Sequence, residues 1–415
     1  MRKPFVSATN TLLLLMTIIF VSPVAPAREK LLYEFPGGKR GNDPQSGVVF
    51  DSKGNAYGTT YYGGTYGWGT VYELEHVGNG WKEQVIYNFA GIGDGTNPVG
   101  NLLIDGAGNL YGTTLYGGTG TGCSQENYGC GGTAFELQHS KVGWKHIVLH
   151  SFCLHSGCSD GSAPSGLTFD EAGNLYGTTV FGGHTCFDDG CGTVYKLSHS
   201  NGSWTLKVLH AFDANGDGYY PAPGIAIDKS GRLYGTTCCG GGTGYGIVFM
   251  LKRTKRGWKE VMVYQFTGSA EDEYPNGNLI IHAHGNLYGS TSDTFNGCNY
   301  DCGTIYKLRL SKGTWVKSVV YAFDGPHGAS PDSLLLDKAG HFYGSTLLGG
   351  TYNAGTIFEL KPEEHWKIEI LYNFTGQRGD ANPNPGLSLG SDSALYGTTP
   401  DTSGQYDGGV FEVSP

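Results

Sequence analysis

An aspartate-rich segment, Asp213-Ala-Asn215-Gly-Asp217-Gly218, has the residue types and spacing that suit metal binding. Oxygen ligands at alternating positions, followed by a glycine that allows a sharp turn, are typical of a calcium loop. The twelfth position of such a loop normally carries a carboxylate, and here it is Gly224. We therefore predict Asp213, Asn215 and Asp217 as ligands of a weak extracellular Ca²⁺ site, with an ordinary Asp-Gly turn as the alternative.

Aromatic side chains could supply a second kind of chemistry, the recognition of hydroxyl-rich ligands. Seven of them stand among small polar residues in predicted loops: Tyr61, Tyr62, Tyr66, Trp68, Tyr219, Tyr220 and Tyr352. A flat ring can cover one face of a sugar while neighbouring Asp and Asn side chains bond its hydroxyls. These residues are candidate ligand contacts, and packing of one loop against another is the alternative.

Catalytic motifs give little. Gly386-Leu-Ser388-Leu-Gly390 matches the nucleophile pattern of some hydrolases, but it falls on a predicted strand that no helix follows. His282-Ala-His284 is better interpreted as a turn than as a metal site. No catalytic residue is predicted, although a site assembled from distant parts of the chain would leave no local motif.

The chain has 10 cysteines, and eight of them form four pairs close in sequence. The pairs are Cys123 and Cys130, Cys153 and Cys158, Cys186 and Cys191, and Cys298 and Cys302. Each pair lies in a lengthened loop, so we predict local disulfides that stiffen these loops in an oxidising compartment. The adjacent Cys238 and Cys239 form either a vicinal disulfide or two free thiols. Zinc binding is the weaker alternative, because the spacing fits no zinc motif.

A repeat must position all of these residues. Tyr-Gly-Thr-Thr or Tyr-Gly-Ser-Thr occurs seven times, at separations of 54, 65, 58, 54, 55 and 53 residues. The tyrosines are Tyr57, Tyr111, Tyr176, Tyr234, Tyr288, Tyr343 and Tyr396. Every unit holds four short apolar runs between turn signals, here named a to d in chain order, which is the strand content of one propeller blade. We predict an all-β fold, a seven-bladed β-propeller with four strands per blade; a linear solenoid is the alternative.

The two ends of the chain indicate how the propeller closes. The sequence ends on a seventh strand c, at residues 410–413, with no strand d after it. Residues 31–35, Leu-Leu-Tyr-Glu-Phe, match the strand d at residues 85–89, Val-Ile-Tyr-Asn-Phe. We therefore expect the N-terminal strand to complete the last blade, which removes the exposed edges of an open array.

Loop lengths distinguish one face of the predicted disc. From the tyrosine to the glycine that opens strand c there are 12 residues in four units, but 21, 16 and 15 in units two, three and five. In an up-and-down blade the b-to-c and d-to-a connections share one face, which we call the variable face. Because functional residues concentrate on variable loops held by a rigid scaffold, we expect ligand binding there.

Residues 1–27 have the features of a secretion signal: basic Arg2 and Lys3, an apolar run and the small residues Ala25 and Ala27. The predicted division is a signal peptide at 1–27 and a single propeller domain at 28–415. A membrane anchor is the alternative, but the apolar run is short for a membrane span. Without Arg2 and Lys3, 25 of the 27 basic residues remain against 37 acidic ones, a net charge of −12. This charge disfavours a nucleic-acid partner.

A longer consensus runs through the units: Gly108-Asn-Leu-Tyr-Gly-Thr-Thr114, then Gly117-Gly118, then Gly-Thr-Val-Tyr and a strand d of the Val-Leu-His-Ala-Phe type. It resembles the Gloeo/Verruco (GloVer) tandem repeat of exported bacterial proteins over essentially the whole chain after residue 27. The last unit departs from it, with Gly390-Ser-Asp-Ser in place of the Asp-x-x-Gly turn. The resemblance implies an extracellular bacterial repeat protein, and neither the family nor the fold alone implies an activity.

Together these observations favour a secreted, extracellular binding or interaction module, with the periplasm as the alternative location. Its expected partner is an extracellular glycan or protein on the variable face; neither nucleic acid nor a membrane span is expected. A polysaccharide-directed hydrolase or lyase is the alternative function. That function would need two or more carboxylates within about 5 to 10 Å of each other at the central opening.

Overall fold

The computed structural model describes residues 28–78, 80–120, 131–184, 186, 189–269, 274–292, 302–362, 365–377, 380–400 and 408–414. In these residues the chain forms seven antiparallel sheets of four strand positions each, and no α-helix. Two single 3-10 turns occur, at Gly38–Arg40 and Ala283–Gly285. The predicted all-β, seven-bladed β-propeller is confirmed.

The first strand of the chain, β1 (Arg28–Glu34), belongs to the seventh blade. The first three blades follow in chain order, each from a to d. They are β2 (Val49–Phe50), β3 (Ala56–Thr60), β4 (Thr70–Val77) and β5 (Gly80–Asn88); β6 (Thr96–Ile104), β7 (Leu110–Tyr116), β8 (Thr133–Ser140) and β9 (Gly143–Ser151); and β10 (Ser162–Phe169), β11 (Leu175–Phe181), β12 (Thr193–Ser200) and β13 (Ser203–Ala211).

In the fourth blade strand a is split into two short pieces, β14 and β15, that both pair with strand b. The strands of the fourth blade are β14 (Tyr219–Pro221), β15 (Ala226–Ile227), β16 (Leu233–Cys239), β17 (Ile247–Thr254) and β18 (Gly257–Gln265). Those of blades five and six are β19 (Pro275–His282), β20 (Asn286–Thr291), β21 (Thr304–Ser311) and β22 (Thr314–Ala322), then β23 (Ala329–Leu336), β24 (Phe342–Leu348), β25 (Thr356–Lys361) and β26 (Lys367–Asn373). The seventh blade has β27 (Ser388–Leu389), β28 (Leu395–Thr399) and β29 (Gly409–Ser414).

The N-terminal strand closes the ring as predicted. β1 pairs antiparallel with β29, with Leu31 opposite Phe411 and Tyr33 opposite Val410. The backbone N–H of Phe35 also donates to the carbonyl of Gly408 at 3.0 Å. Phe35 is buried against Tyr72 of the first blade, with ring centroids 4.9 Å apart, so the strand supplies core contacts as well as an edge.

The Tyr-Gly-Thr-Thr repeat has a packing explanation. A Cβ on Gly112 would lie 2.6 Å from Cζ of Phe135 and 2.8 Å from Cδ2 of Leu102, so the ring of strand c occupies the space where a side chain would stand. The last threonine of the motif bonds the threonine that opens strand c, as in the 2.8 Å contact between the hydroxyls of Thr60 and Thr70. The motif therefore fits strand b against a buried aromatic ring of strand c.

Adjacent blades are locked together at the variable face. The residue before each strand-a proline has φ between 45° and 58° in all seven blades: Asp43, Asn97, Ala163, Tyr220, Tyr274, Ser330 and Asn382. In the second blade the N–H of Asn97 donates to the carbonyl of Trp68 in the first blade at 2.9 Å. The next residue, Gly69, has φ of 97°, and a Cβ there would lie 2.6 Å from Cδ of Pro98. These contacts give the loops of the variable face a rigid base.

Candidate functional site on the variable face

Two aromatic side chains pack together where blades one and two join, with Tyr116 near them. The rings of Tyr61 and Tyr62 pack edge to face, with centroids 4.6 Å apart. Burial, and then the nearby phenol of Tyr116, raise the pKa of Tyr61 to about 12. Tyr61 is half-buried, whereas 48% of Tyr62 is exposed. Tyr61 thus supports the ring of Tyr62 and leaves much of it open to a ligand.

A matching aromatic group lies between blades three and four. Tyr219 and Tyr220 pack edge to face at 5.0 Å, and Tyr220 also contacts Phe181 of the third blade at 5.4 Å. Tyr220 is held in the left-handed region at φ 54°, with its N–H bonded to the carbonyl of Cys191 at 3.0 Å. Burial is the main cause that raises the pKa of Tyr220. This group is partly buried and rigid.

The remaining candidates are Tyr66, Trp68 and Tyr352. Tyr66 is 59% exposed, and its neighbour Trp68 is partly buried with its indole nitrogen beside Gly91. Tyr352, in the sixth blade, is 61% exposed. The seven predicted aromatics therefore do not form one cluster, and most of the open ring surface belongs to Tyr62, Tyr66 and Tyr352.

Sequence reasoning missed four aromatic residues of this face, Tyr116, Phe181, Tyr245 and Tyr274. Tyr245 and Tyr274 pack at 5.6 Å where blades four and five join. The signal was the repeat itself, because the aromatics recur at three aligned positions. These positions are two residues after the Thr-Thr pair (Tyr62, Tyr116 and Phe181), before the glycine of strand c (Trp68 and Tyr245), and before the proline of strand a (Tyr220 and Tyr274).

Three carboxylate oxygens of the predicted calcium loop already have partners within the protein. Oδ2 of Asp217 lies 3.0 Å from Nε2 of His210, and Oδ1 of Asp217 accepts the N–H of Asp213 at 3.3 Å. Oδ1 of Asp213 accepts the N–H of Asn215 at 2.9 Å. No group of three or more His, Cys, Asp or Glu side chains in the described residues is placed to hold a metal ion. These contacts account for both aspartates as turn residues, and Ca²⁺ binding stays a prediction.

The same arrangement recurs in other blades. Asp94 accepts the hydroxyl of Tyr87 at 2.7 Å and the N–H of Ala90 at 3.0 Å. Asp160 lies 2.9 Å from Nε2 of His150. An aspartate that holds the last polar ring of strand d is therefore a general feature of the d-to-a turns.

The disulfide prediction is confirmed where the structure describes both partners. Cys153 pairs with Cys158 and Cys186 with Cys191, each within one lengthened loop. Cys238 and Cys239, whose state the sequence left open, form a vicinal disulfide at the end of β16. Cys302 is also disulfide-bonded. The predictions for Cys123, Cys130 and Cys298 lie outside the described residues.

The central channel contains a cavity of about 390 Å³, lined by residues from strand a of all seven blades. The lining includes the side chains of Gln45, Asn101, Asn276 and Asn278 and a single carboxylate, Asp332. A glycosidase-type pair of carboxylates is therefore not present among the described residues that line this cavity. Ser388, from the hydrolase-like pattern, donates its hydroxyl to the carbonyl of Val48, and the next element after β27 is the strand β28 and not a helix.

Comparison with protein families identifies the repeat. The model of the Gloeobacter/Verrucomicrobia repeat matches residues 119–297 and 294–415. The chain belongs to this repeat family. No curated protein matches the sequence. The repeat family and the disulfides suggest an extracellular protein. Within its described residues the protein has no helix of sufficient length and hydropathy to span a bilayer.

Solved structures share the propeller fold at low identity. Two structures of a PL25 ulvan lyase, one of them bound to -[GlcA(1-4)Rha3S]-, align with TM-scores of 0.56 and 0.55 at 12% identity, over 92% of this chain and 95% of theirs. A gluconolactonase from Xanthomonas campestris aligns with a TM-score of 0.44 at 12% identity, over 95% of this chain and 98% of its own. At these identities the likeness concerns the fold alone.

Proposed function

We propose that this protein is a secreted binding module whose variable face binds an uncharged extracellular glycan. The observation that carries the proposal is the exposed ring of Tyr62, which the edge-to-face partner Tyr61 holds where blades one and two join. A ring already held by an edge-to-face partner loses little conformational freedom when a sugar packs on it. An interaction with a protein surface would use the same rings and is an outcome of the test below.

The charges around the aromatic groups favour a neutral ligand. The carboxylates of Asp189 and Asp213 are exposed in the loops of blade three and the turn that leads to blade four, near Tyr219 and Tyr220. Backbone hydrogen bonding to Asn215 is the main cause that lowers the pKa of Asp213, so it is ionised at neutral pH. A sulfated or uronic-acid chain would meet repulsion there, whereas a neutral chain would not.

The export part of the proposal concerns residues 1–27, which lie outside the described residues. We propose a signal peptide that is removed after Ala27, leaving the propeller of residues 28–415 free in the medium. N-terminal sequencing of the protein collected from the culture medium should begin at Arg28. A full-length protein that stays with the cell membrane would contradict removal of the signal.

The ligand is tested by thermal shift with neutral hexasaccharides of glucose, xylose and mannose, followed by product analysis. Saturable stabilisation without product supports the binding module; at a hundredfold excess over the Kd, linkage predicts about 2.7 kcal/mol. Tyr62→Ala should weaken the same sugar by about 2 kcal/mol, roughly thirtyfold, as expected for a central aromatic contact.

The matched control is Val142→Ala, at a 98% exposed position in the c-to-d hairpin on the opposite face. It should leave sugar binding unchanged. Release of shorter sugars would overturn the binding module in favour of the hydrolase or lyase. If no neutral sugar shifts the unfolding temperature and a pull-down with the purified protein retains a protein partner, the proposal of a glycan ligand is overturned.

A further inference from the structure

The cavity in the central channel lies among the strand-a segments and is separate from the aromatic groups of the variable face. Its volume of about 390 Å³ falls within the range of small-molecule sites. Much of its wall is backbone, because glycines of strand a reach it in five blades: Gly100, Gly166, Gly224, Gly277 and Gly386. A Cβ on Gly166 would lie 2.7 Å from the backbone nitrogen of Gly224, so neighbouring blades touch through their main chains. The cavity therefore has a fixed shape.

Asp332 interrupts this neutral wall. It occupies the place after the strand-a proline of the sixth blade, and it is the only ionisable side chain among the described residues that line the cavity. Its carboxylate accepts hydrogen bonds from Ser333, whose hydroxyl is 3.4 Å from Oδ1, and from the side chain of Asn276. Burial raises the pKa of Asp332 to about 6, so the group is mostly ionised at neutral pH. Because no Lys, Arg or His is among the described residues that line the cavity, this carboxylate favours a positively charged guest.

Two further asparagines, Asn101 and Asn278, belong to the polar lining. The Oδ1 atom of Asn101 accepts the N–H of Gly47 at 2.9 Å, and Oδ1 of Asn278 accepts the N–H of Leu334 at 3.2 Å. These bonds fix the orientation of both amides, whose N–H groups can donate to a ligand hydroxyl. One carboxylate and several amide donors in a cavity of this size suit a small molecule that carries one positive charge and hydroxyl groups.

We propose that the central channel is a binding site for an organic ammonium group. Asp332 is its counter-ion, and the channel asparagines are hydrogen-bond partners of the rest of the ligand. The site does not depend on the proposed function of the variable face. An amino sugar and a lysine-like side chain share this ammonium chemistry, and the test distinguishes them.

The test is calorimetric titration of the purified protein at pH 7 with glucosamine, glucose and n-butylammonium. Glucosamine should bind at least about tenfold more tightly than glucose, a difference of about 1.4 kcal/mol. Binding of n-butylammonium as tight as that of glucosamine assigns the site to the ammonium group alone, and tighter glucosamine binding assigns it to an amino sugar. Asp332→Asn should reduce glucosamine to the affinity of glucose.

Asp324→Asn is the matched control. Asp324 is an exposed aspartate that precedes the first strand of the same blade, and its carboxylate pairs with His327 and does not line the cavity. This substitution should leave glucosamine binding unchanged. Wild-type protein gives a readout that needs no variant: glucosamine affinity should fall as the pH drops from 7 to 5, because Asp332 takes up a proton in this range. Equal affinity for glucosamine and glucose, or no change with either Asp332→Asn or pH, would overturn the proposal.

Discussion

The two faces of the disc use tyrosine in different ways. On the face of the a-to-b turns, the hydroxyl of Tyr57 donates to Asp51 at 3.3 Å and to Glu73 at 2.9 Å, and similar bonds recur in other blades. On the variable face, Tyr62 and Tyr352 leave 48% and 61% of their surface exposed. The first arrangement satisfies the polar group inside the protein, so it stabilises the fold. The second leaves ring surface for a ligand. Tyrosines that recur in every unit and have hydrogen-bonded hydroxyls are structural. Tyrosines that vary between units and are exposed are candidates for binding.

The largest expected loss of stability comes from a substitution in strand b, which supports both faces. Gly112→Ala should lower the free energy of unfolding by about 3 kcal/mol, because the added methyl group would overlap the rings and methyls of Phe135 and Leu102. Urea unfolding measures the loss. The control is Gly106→Ala in the adjacent a-to-b turn, where no atom lies within 4 Å of the new Cβ. Equal stability of the two variants would contradict the packing explanation of the repeat.

The histidine His146 should make the stability of the fold sensitive to acid. His146 stacks on Tyr87 at 4.3 Å, and its buried Nε2 has no hydrogen-bond partner. Burial lowers the pKa of His146 to about 4, below the value near 6.5 of an unfolded chain. The unfolded state therefore binds the proton more readily, and stability is lost as the pH falls from 6.5 towards 4. Linkage gives a loss of roughly 2 kcal/mol by pH 4.5.

Urea unfolding at pH 7 and pH 4.5 checks this expectation. His146→Gln should remove about 2 kcal/mol of the difference between the two pH values. The same substitution at His76, an exposed position of β4, should leave the difference unchanged. A pH dependence that is identical in all three proteins would show that His146 does not cause it.

Removal of one hydroxyl on each face sharpens the comparison directly. Tyr111→Phe should cost about 1 to 2 kcal/mol, because Asp105 and Glu136 lose the hydroxyl that donates to them at 3.2 Å. Tyr62→Phe should change stability by less than about 0.5 kcal/mol, as is usual for surface positions. Thermal unfolding of both variants gives the answer. A greater loss in Tyr62→Phe than in Tyr111→Phe would reverse the assignment of the two faces.

Calcium should have the smallest effect. A weak extracellular site with a Kd near 1 mM would add only about 0.4 kcal/mol at 1 mM CaCl₂. Asp213→Asn should abolish this increment, as measured by thermal unfolding with and without EDTA. No difference between calcium and EDTA in the wild type would dispose of the site. An increment above 2 kcal/mol would be incompatible with the internal hydrogen bonds of Asp213 and Asp217.

The fold could be predicted because its signals repeat. Seven copies of the tyrosine motif set the number of blades, and residues 31–35 match a strand d that the last blade lacks. The local disulfides were predictable for a similar reason, because each cysteine pair shares one loop. In every case the interacting residues are close in sequence or belong to aligned positions of the repeat.

The site could be predicted only in part. The repeat alignment could have found Tyr116 and Phe181, but not the contact of Phe181 with Tyr220, which crosses from one blade to the next. Nor could it show that Asp332 borders the channel, where strand a of every blade meets. Such contacts depend on how far each blade is rotated against its neighbour, and no local pattern encodes that angle.

By itself, the sequence determined the all-β class, the seven units, the closure by the N-terminal strand and the face on which the loops vary. These properties follow from periodic hydrophobicity and turn chemistry, which act within one unit. Only the tertiary structure decided which tyrosines support others and which stay exposed, and that Asp332 is the one carboxylate among the described residues that line the channel. The physical reason is that burial and electrostatic environment arise where seven separate units meet, so they depend on side chains of a neighbouring unit, as in the contact of Phe181 with Tyr220.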